Sequence, residues 1–306
     1  MKVLVTGANG FVAQGLVAAL ARPGALGTQI EELILADLTA GTAAGRWIPG
    51  DLADPAYLAA LAALAPDLVF HLASIPGSLA EQRPHLGRAI NLNAPQALFA
   101  ALAAQGNRAR VVFASSIAVL GALGPGPVSE DAVPAPDLSY GAHKWMTEIL
   151  LADLTRRNEL DGISLRLPGI VARPPAETGH GSAFMSQIFH RAAAREAYAC
   201  PVSAQATCWW MSRQVLVANL LHAATMDGAA LAPSRMVQLP VLHASVGDIL
   251  AALAERFGAQ FITHTPDPRI EALFGRLPPL HTPRALAAGF LRDSDAHSLI
   301  ESALNF

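Results

Sequence analysis

The sequence lacks the features that mark several large classes of protein. Its 306 residues include only two cysteines, Cys200 and Cys208, which is too few for a disulfide framework; with no Cys-x-x-Cys motif or histidine cluster beside them, they do not suggest a metal site. No run of about 18 consecutive apolar residues occurs, so no transmembrane helix is predicted. Charged residues make up 15% of the chain, the net charge is −3, and lysine and arginine form no dense run. These absences argue against a nucleic-acid or membrane partner and favour a small-molecule ligand.

Hydrophobic residues, in contrast, are abundant and make up 52% of the chain, enough to bury a sizeable core. The apolar start of the chain is broken after a few residues by Gly7, Asn9 and Gly10. We therefore interpret this start as a β-strand and not as an export signal, and we expect a cytoplasmic protein.

Short apolar runs alternate with helical patterns through the first half of the chain. The predicted strands are 2–6, 32–36, 67–72, 110–115 and 163–167, and the predicted helices are 11–20, 55–64, 86–104 and 139–158. Strands that are continuous apolar runs, separated by helices, indicate a parallel sheet covered on both faces. The sequence thus predicts an α/β fold of the Rossmann type, with a doubly wound parallel sheet.

After Pro168 this alternation changes. Residues 173–181 form a loop rich in proline and glycine, which we interpret as a candidate substrate lid. Further elements are predicted at 183–194 (helix), 207–211 (strand), 212–225 (helix), 236–239 (strand) and 245–257 (helix, with a capping box at its start). We expect residues 205–228 to return to the domain formed by 1–168, with the strand at 207–211 in the main sheet. Residues 169–204 and 229–306 are expected to form a smaller C-terminal lobe.

A glycine-rich turn, Thr6-Gly7-Ala8-Asn9-Gly10-Phe11-Val12-Ala13, follows the first predicted strand. Gly7 and Gly10 permit a close backbone approach, and the helix that follows offers N–H groups to a pyrophosphate. Ala13 takes the third small position. Such a turn is also found in ordinary strand-to-helix connections, but its position after the first strand of an α/β pattern favours dinucleotide binding.

Asp37 ends the second apolar run, where a carboxylate can accept hydrogen bonds from the ribose of adenosine. It would repel a 2′-phosphate, and no arginine directly follows it. The sequence therefore favours NAD over NADP, with a solvent-facing turn residue as the alternative role of Asp37.

Tyr140 and Lys144 lie four residues apart at the start of a predicted helix, so their side chains share one face. A free phenol has a pKa of about 10. A nearby ammonium group and a cationic nicotinamide would favour the phenolate and allow Tyr140 to act as a general base. A Tyr-x-x-x-Lys pair can also occur on a helix surface by chance, but the serine pair Ser115-Ser116 and the glycine turn upstream favour the catalytic interpretation.

Together these motifs resemble the extended short-chain dehydrogenase/reductase family, also called the NAD-dependent epimerase/dehydratase superfamily, over nearly the whole chain. The resemblance implies that Ser116, Tyr140 and Lys144 are catalytic, that Ser116 hydrogen-bonds the reacting oxygen, and that Ser115 supports the strand end. It implies NAD as cofactor, bound by Gly7, Asn9, Gly10, Phe11, Val12, Asp37, Asp51, Leu52, Leu72, Ala73, Asn91, Tyr140, Lys144 and Pro168. It also implies a homodimer formed through the helices at 86–104 and 139–158, an NAD-binding role for the first domain and a substrate-binding role for the lobe.

Within the superfamily, segments 111–119, 165–174 and 209–212 look most like the D-erythronate dehydrogenase group, whose members oxidise the C2 hydroxyl of a four-carbon sugar acid. Two positions depart from the pattern of that group. Ala13 stands where a third glycine is usual, and Gln214 stands where an arginine is expected. The resemblance implies NAD-dependent oxidation of a small sugar acid with Tyr140 as base. The candidate substrate-binding residues are Ser74, Ser116, Tyr140, Arg173 and Ser182.

Three other functions share part of this pattern. A nucleotide-sugar epimerase would use the same serine, tyrosine and lysine, but Gly169 occupies the position where many such enzymes have a diphosphate-binding asparagine. A dehydratase usually carries an acidic pair where Ile117 and Ala118 stand. A non-catalytic NAD-binding sensor would not need Tyr140 and Lys144 in register with Ser116. The choice of sugar acid stays open.

Overall fold

The fold was taken from a computed structural model, which describes residues 1–174, 181–258 and 261–304. Its strands are β1 Lys2–Thr6, β2 Glu32–Asp37, β3 Arg46–Pro49, β4 Leu68–His71, β5 Arg110–Ser116, β6 Val128–Ser129, β7 Asp161–Leu167, β8 Gly169–Val171, β9 Tyr198–Cys200, β10 Thr207–Ser212, β11 Met236–Gln238, β12 Leu242–Ser245, β13 Ile262–His264 and β14 Leu280–His281. Its α-helices are α1 Phe11–Leu20, α2 Pro55–Ala63, α3 Gly77–Gln82, α4 Pro84–Arg88, α5 Ala94–Ala104, α6 Ser139–Arg156, α7 Phe184–Ala194, α8 Arg213–Thr225, α9 Val246–Phe257, α10 Pro268–Phe274, α11 Pro283–Ala287 and α12 Ala296–Leu304.

The chain divides into two compact units. The first unit consists of Met1–Gly121, Pro134–Leu167 and Val217–Gln238. The second unit consists of Ala122–Val133, Pro168–Leu216 and Leu239–Phe306. The functional roles predicted for the two parts of the chain stay predictions.

The first unit is built on a seven-stranded sheet with the order β3-β2-β1-β4-β5-β7-β11. Every neighbouring pair in it is parallel. The predicted doubly wound parallel sheet is therefore confirmed. The strand order reverses between β1 and β4, which is the point where open α/β sheets form a ligand crevice at the carboxyl ends of their strands.

One face of this sheet is covered by α2, α5 and α6, whose apolar side chains pack on the strands because both faces of a parallel sheet must be buried. The cluster includes Leu61 of α2, Phe99 of α5 and Leu151 of α6, against Val69 and Phe113 of the sheet. The helix predicted at 86–104 is interrupted: α4 and α5 are joined by a π-helical turn at Ala89–Asn93.

In the second unit, β10 lies at the centre of a three-stranded sheet with the order β12-β10-β8. The prediction that a strand near 207–211 returns to the main sheet is therefore wrong, and the strand that joins the main sheet here is β11. Trp209 and Trp210 are fully buried, so β10 is apolar on both faces. A strand buried on both faces has the same sequence pattern in either sheet, so the pattern alone does not identify its partners.

The predicted capping box at the start of α9 is confirmed, since the Ser245 hydroxyl and the Asp248 carboxylate each accept the other residue's backbone N–H.

Both cysteines are buried in the second unit. Burial raises the pKa of the Cys200 thiol and that of the Cys208 thiol. Neutral buried thiols of this kind act as small packing groups.

The candidate lid at 173–181 falls mostly on residues 175–180, which lie outside the described residues. After it, α7 begins at Phe184.

None of the helices in the described part of the chain is long and apolar enough to cross a membrane. Among the same residues, no group of three or more His, Cys, Asp or Glu side chains could hold a metal ion.

Candidate active site

The glycine turn after β1 is held against the loop after β4. Gly7 has a φ of +71°, and a Cβ at this position would lie 2.7 Å from the Ala73 Cα and 2.8 Å from the Ala73 nitrogen. The Gly7 and Ala8 N–H groups both donate to the Ala36 carbonyl, over 2.9 and 3.2 Å. Gly7 is thus required both for its left-handed backbone and for the contact with Ala73, which brings two predicted cofactor-binding residues together.

The N-terminus of α1 follows at once and includes Phe11 and Val12 in its first turn. Gly10 precedes the helix in an extended conformation, no described side chain caps this end, and the first turn has no acidic residue. An uncapped helix N-terminus carries a positive partial charge and is suited to a pyrophosphate. The residues present at this turn therefore fit a dinucleotide.

Asp37, at the end of β2, is tied to the glycine turn. Its carboxylate accepts the Asn9 N–H over 2.8 Å and the Leu38 N–H over 2.7 Å. The side chain is half-buried, so one face stays open to solvent. Burial, followed by the charge of Asp37, raises the pKa of Tyr57 to about 12. A negative charge is thus fixed beside the turn, as a ribose-binding role requires.

Asn91 lies in the π-helical turn and is buried. Its amide oxygen accepts the Ile75 N–H over 2.8 Å and the Ser74 hydroxyl over 3.1 Å, while its amide nitrogen donates to the Ile75 carbonyl over 2.9 Å. The extra residue of a π-helical turn is often found at functional sites. Here the turn allows Asn91 to fix the loop that contains Ser74, a candidate substrate-binding residue.

Four further predicted cofactor-binding residues lie in short loops. Asp51 is exposed and accepts the Ala53 N–H over 2.8 Å, and Leu52 next to it is buried. Leu72 follows β4, and its N–H donates to the Thr6 carbonyl over 3.3 Å. Pro168, in the second unit, is buried directly after β7. Their contacts with a cofactor stay predictions.

Lys144 is almost completely buried on α6, with 1% of its surface exposed. Its Nζ donates to the Ala114 carbonyl over 2.7 Å and lies 4.8 Å from the centre of the Phe113 ring. The same atom lies 5.6 Å from the centre of the Tyr140 ring. Burial lowers the pKa of Lys144 to about 7, against the opposite effect of the Glu148 charge. The structure thus brings the predicted lysine and tyrosine together.

The two adjacent serines at the end of β5 have different surroundings. Ser115 is buried and donates to Oε1 of Glu148 over 2.5 Å. Ser116 is half-buried, and its Oγ accepts the Ala118 N–H over 3.1 Å at the start of a 3₁₀ turn. Ser116 retains the accessible position that a substrate contact needs.

Gly141 was missed by the sequence reasoning. A Cβ at this position would lie 2.2 Å from the Ala118 carbonyl oxygen, so the first turn of α6 packs directly on the 3₁₀ turn that follows Ser116. Because Tyr140 is the preceding residue, this contact holds Tyr140 close to the turn that follows Ser116. The only signal for it in the sequence is a glycine beside the tyrosine.

Two histidines lie near the site. His71 is buried, its Nδ1 lies 2.9 Å from the Thr6 hydroxyl, and its ring stacks on Phe113. Burial, followed by the charge of Lys144, lowers the pKa of His71 to about 3, so the ring is neutral. His143, between Tyr140 and Lys144 on α6, is buried. Burial, followed by the charge of Arg88, lowers the pKa of His143 against the effect of Glu81.

Arg173 and Ser182, the two candidate substrate contacts of the second unit, flank the segment 175–180. The Arg173 N–H donates to the Ser186 hydroxyl over 3.0 Å, and its carbonyl oxygen lies 2.6 Å from Nε2 of His190. Ser182 is half-buried just before α7. His190 thus makes a structural contact with the backbone of Arg173, and the substrate roles of Arg173 and Ser182 stay predictions.

The sheet order, the glycine turn at the β1 end and the buried lysine beside a tyrosine together define a Rossmann-fold enzyme that uses a nicotinamide cofactor. Residues 3–230 match the model of the NAD dependent epimerase/dehydratase family, and the chain belongs to that family. The cofactor is NAD. The predicted family, fold and cofactor are all confirmed.

Two relatives of known activity match along the whole chain. One is D-erythronate dehydrogenase from Cupriavidus necator, 34% identical over 315 residues, which covers 99% of this chain and 97% of the relative. The other is D-erythronate dehydrogenase from Haemophilus influenzae, 30% identical over 315 residues, which covers 100% and 99%.

Among solved structures, a nucleoside-diphosphate-sugar epimerase from Agrobacterium tumefaciens is similar, with a TM-score of 0.93 and 32% identity over 98% of this chain and 92% of that chain. A GalE-like L-threonine dehydrogenase from Cupriavidus necator has a TM-score of 0.88 at 22% identity, over 100% and 99% of the two chains. At that identity the second structure shows the shared fold alone.

Proposed function

We propose that this protein is an NAD-dependent dehydrogenase that oxidises a secondary hydroxyl of a small sugar acid, with D-erythronate as the first candidate substrate and C2 as the reacting carbon. The observation that carries the proposal is the pairing of Tyr140 with the buried Lys144 at the end of β5. The full-length similarity to two D-erythronate dehydrogenases supports the substrate class.

In the proposed mechanism Tyr140 removes the proton from the substrate hydroxyl. The Lys144 ammonium, fixed by the Ala114 carbonyl, favours the phenolate form of Tyr140 because an adjacent positive charge stabilises a negative one. Ser116 donates a hydrogen bond to the reacting oxygen and orients it toward Tyr140. NAD, when bound, supplies the acceptor for the hydride that leaves the substrate carbon.

The residues of the glycine turn would hold the cofactor. Gly7, Gly10 and the first turn of α1 would face the pyrophosphate, and Asp37 would accept hydrogen bonds from the adenosine ribose. Asn91 would act indirectly, since its hydrogen bonds go to the Ser74-Ile75 loop.

The test is NADH formation, followed by absorbance, with NAD and a panel of four- to six-carbon sugar acids that includes D-erythronate and L-threonate. We expect reduction with one member of the panel. Tyr140→Phe should abolish turnover and leave NAD affinity nearly unchanged, because only the proton acceptor is removed. Full activity of that variant would contradict the mechanism, and a panel without any active sugar acid would contradict the substrate class.

A nucleotide-sugar epimerase is the second candidate, favoured by the similarity to the Agrobacterium tumefaciens structure. Gly169 argues against it, since it supplies no amide side chain to a diphosphate. The same assay separates the two activities when UDP- and dTDP-sugars are included: an epimerase converts such a sugar without net accumulation of NADH.

We further propose a cytoplasmic homodimer formed through α4, α5 and α6. Three large apolar side chains on α4 and α6 are exposed, namely Leu86 at 36%, Met146 at 41% and Ile149 at 49%. Exposed apolar residues on neighbouring helices are typical of a protein interface. Sedimentation velocity of the parent and of Ile149→Lys tests this: the variant should sediment as a monomer, and a monomeric parent would contradict the proposal.

A further inference from the structure

Glu148 has no place in the mechanism above, although it lies four residues beyond Lys144 on α6. Its side chain is fully buried. Oε1 accepts the Ser115 hydroxyl over 2.5 Å and Arg166 Nε over 3.0 Å, and Oε2 accepts Arg166 Nη2 over 2.8 Å. Arg166 is itself buried on β7. A buried carboxylate is costly unless it is paired and hydrogen-bonded, and here both oxygens have partners.

These contacts join α6 to the end of β5 at two consecutive residues. Lys144 binds the Ala114 carbonyl, and one turn later Glu148 binds the Ser115 hydroxyl. Ser116 is the next residue and is therefore fixed relative to α6, the helix that also carries Tyr140. The distance between the two groups proposed to touch the reacting oxygen thus depends on contacts made one and two turns further along α6.

We propose that Glu148 is a positioning residue for the proton-transfer pair: it holds the end of β5 against α6 through Ser115 and supplies the negative charge that faces Lys144. The inference rests on the proposed function, since it assumes that Tyr140 and Lys144 carry the proton transfer. Arg166 holds Glu148 in place from β7.

Among the groups that face Lys144, Glu148 supplies a negative charge. His71 on β4 is neutral, and β5 offers only the Ala114 carbonyl and the Phe113 ring. Arg166 on β7 is positive and paired with Glu148. The Glu148 charge opposes the effect of burial on the pKa of Lys144. A neutral residue in place of Glu148 should lower the pKa of Lys144 below about 7, so that a smaller fraction of Lys144 is charged at neutral pH, when Tyr140 must lose its proton.

The lysine content of the chain allows a direct test without substrate. The sequence has two lysines, Lys2 and Lys144, so the ¹³Cε resonance of each side chain can be followed by NMR as the pH is raised. The Lys144 step should lie near neutral pH, because burial lowers the pKa of Lys144 to about 7. Lys2→Arg leaves Lys144 as the one lysine of the chain and identifies its step, and a variant without a step near neutral pH would overturn the proposal.

The decisive comparison is between the parent and two variants at position 148. Glu148→Gln should move the Lys144 step to lower pH by about one unit, because the ammonium group loses the negative charge that faces it. Glu148→Asp retains the charge and should titrate like the parent. If Glu148→Gln fails to fold because Arg166 is left unpaired, Glu148→Gln combined with Arg166→Gln removes both charges and should show the same shift.

Ser115→Ala is the matched control for the contact with β5. It removes the hydrogen bond and keeps the charge, so kcat should fall several-fold while the titration stays unchanged. An unshifted titration in Glu148→Gln, or in the double variant, would overturn the proposal. Failure of the proposed function, with no sugar acid oxidised, would leave the NMR titration of Lys144 intact, so the two failures are distinguishable.

Discussion

The contact between Gly141 and Ala118 gives a sharp test of how the site is positioned. In Gly141→Ala the new Cβ would lie 2.2 Å from the Ala118 carbonyl oxygen. Carbon and oxygen atoms that do not bond need more than 3 Å, so the two backbones must separate by about 1 Å. The separation moves Tyr140 away from Ser116, and a displacement of this size costs on the order of 100-fold in rate.

Gly141→Ala should also change the free energy of unfolding, through two effects of opposite sign. Alanine is favoured over glycine in a helix by about 1 kcal/mol, whereas overpacking costs about 1–3 kcal/mol. We expect the overpacking to dominate, so the free energy of unfolding should fall. The N-terminus of α1 lies outside the affected contact, and NAD affinity should change little.

Steady-state NADH formation with the best sugar acid, together with NAD titration and urea unfolding, measures these effects. Gly77→Ala is the matched control, because its Cβ would lie 3.6 Å from the Tyr140 Cβ, an ordinary contact. It places a methyl group on another side of the same tyrosine and should leave kcat nearly unchanged. A Gly141→Ala enzyme with parental kcat would refute the claim that this contact sets the catalytic distance.

Three further predictions concern the cofactor and pH. Asp37→Ala should weaken NAD binding more than NADP binding, because it removes a ribose acceptor and a charge that repels a 2′-phosphate; equal losses in a binding titration would contradict the ribose role. Gly7→Ala should lower the unfolding free energy by about 1–3 kcal/mol and weaken NAD binding, because its Cβ would strike Ala73; unchanged urea unfolding would argue against that contact. Finally, His71 has a pKa of about 3 when folded and an ordinary value of 6.5, so the unfolded chain takes up the proton first. The unfolding free energy should therefore fall as the pH drops from 6.5 toward 3. His71→Gln should flatten this dependence in urea unfolding at neutral and mildly acidic pH, and an equally steep decline in the variant would point to other groups.

The main sheet was predictable because its strands are short apolar runs separated by helical patterns. β1 was predicted with the observed bounds, and β2 and β5 to within one residue. β3, which is Arg46–Pro49, was missed because it lies at the sheet edge and is half exposed, so it has no apolar run. The sheet to which β10 belongs was predicted wrongly for the opposite reason. β10 is buried on both faces, so its apolar sequence pattern would be the same in either sheet.

The candidate site was predictable where chemistry is concentrated in one short motif. The pair Tyr140 and Lys144 could be found from its spacing, which is a local property of a helix. Gly141 and Glu148 were missed because their importance comes from contacts with β5 and the turn after it, and such contacts are set by packing and leave no local pattern. Arg166 was missed for the same reason, as a charged residue within an otherwise apolar strand.

The outer position of β11 has a consequence for synthesis of the chain. A ribosome that has reached Leu167 has already made Ser116, Tyr140 and Lys144 and six of the seven strands of the main sheet. At that stage β7 is an open edge, because the residues that pair with Ser164, Leu165 and Arg166 are Met236–Gln238. Open edges recruit other strands. A nascent chain halted there would hold the complete proposed catalytic set and still be prone to aggregate, because β11, the strand that covers this edge, has not yet been made.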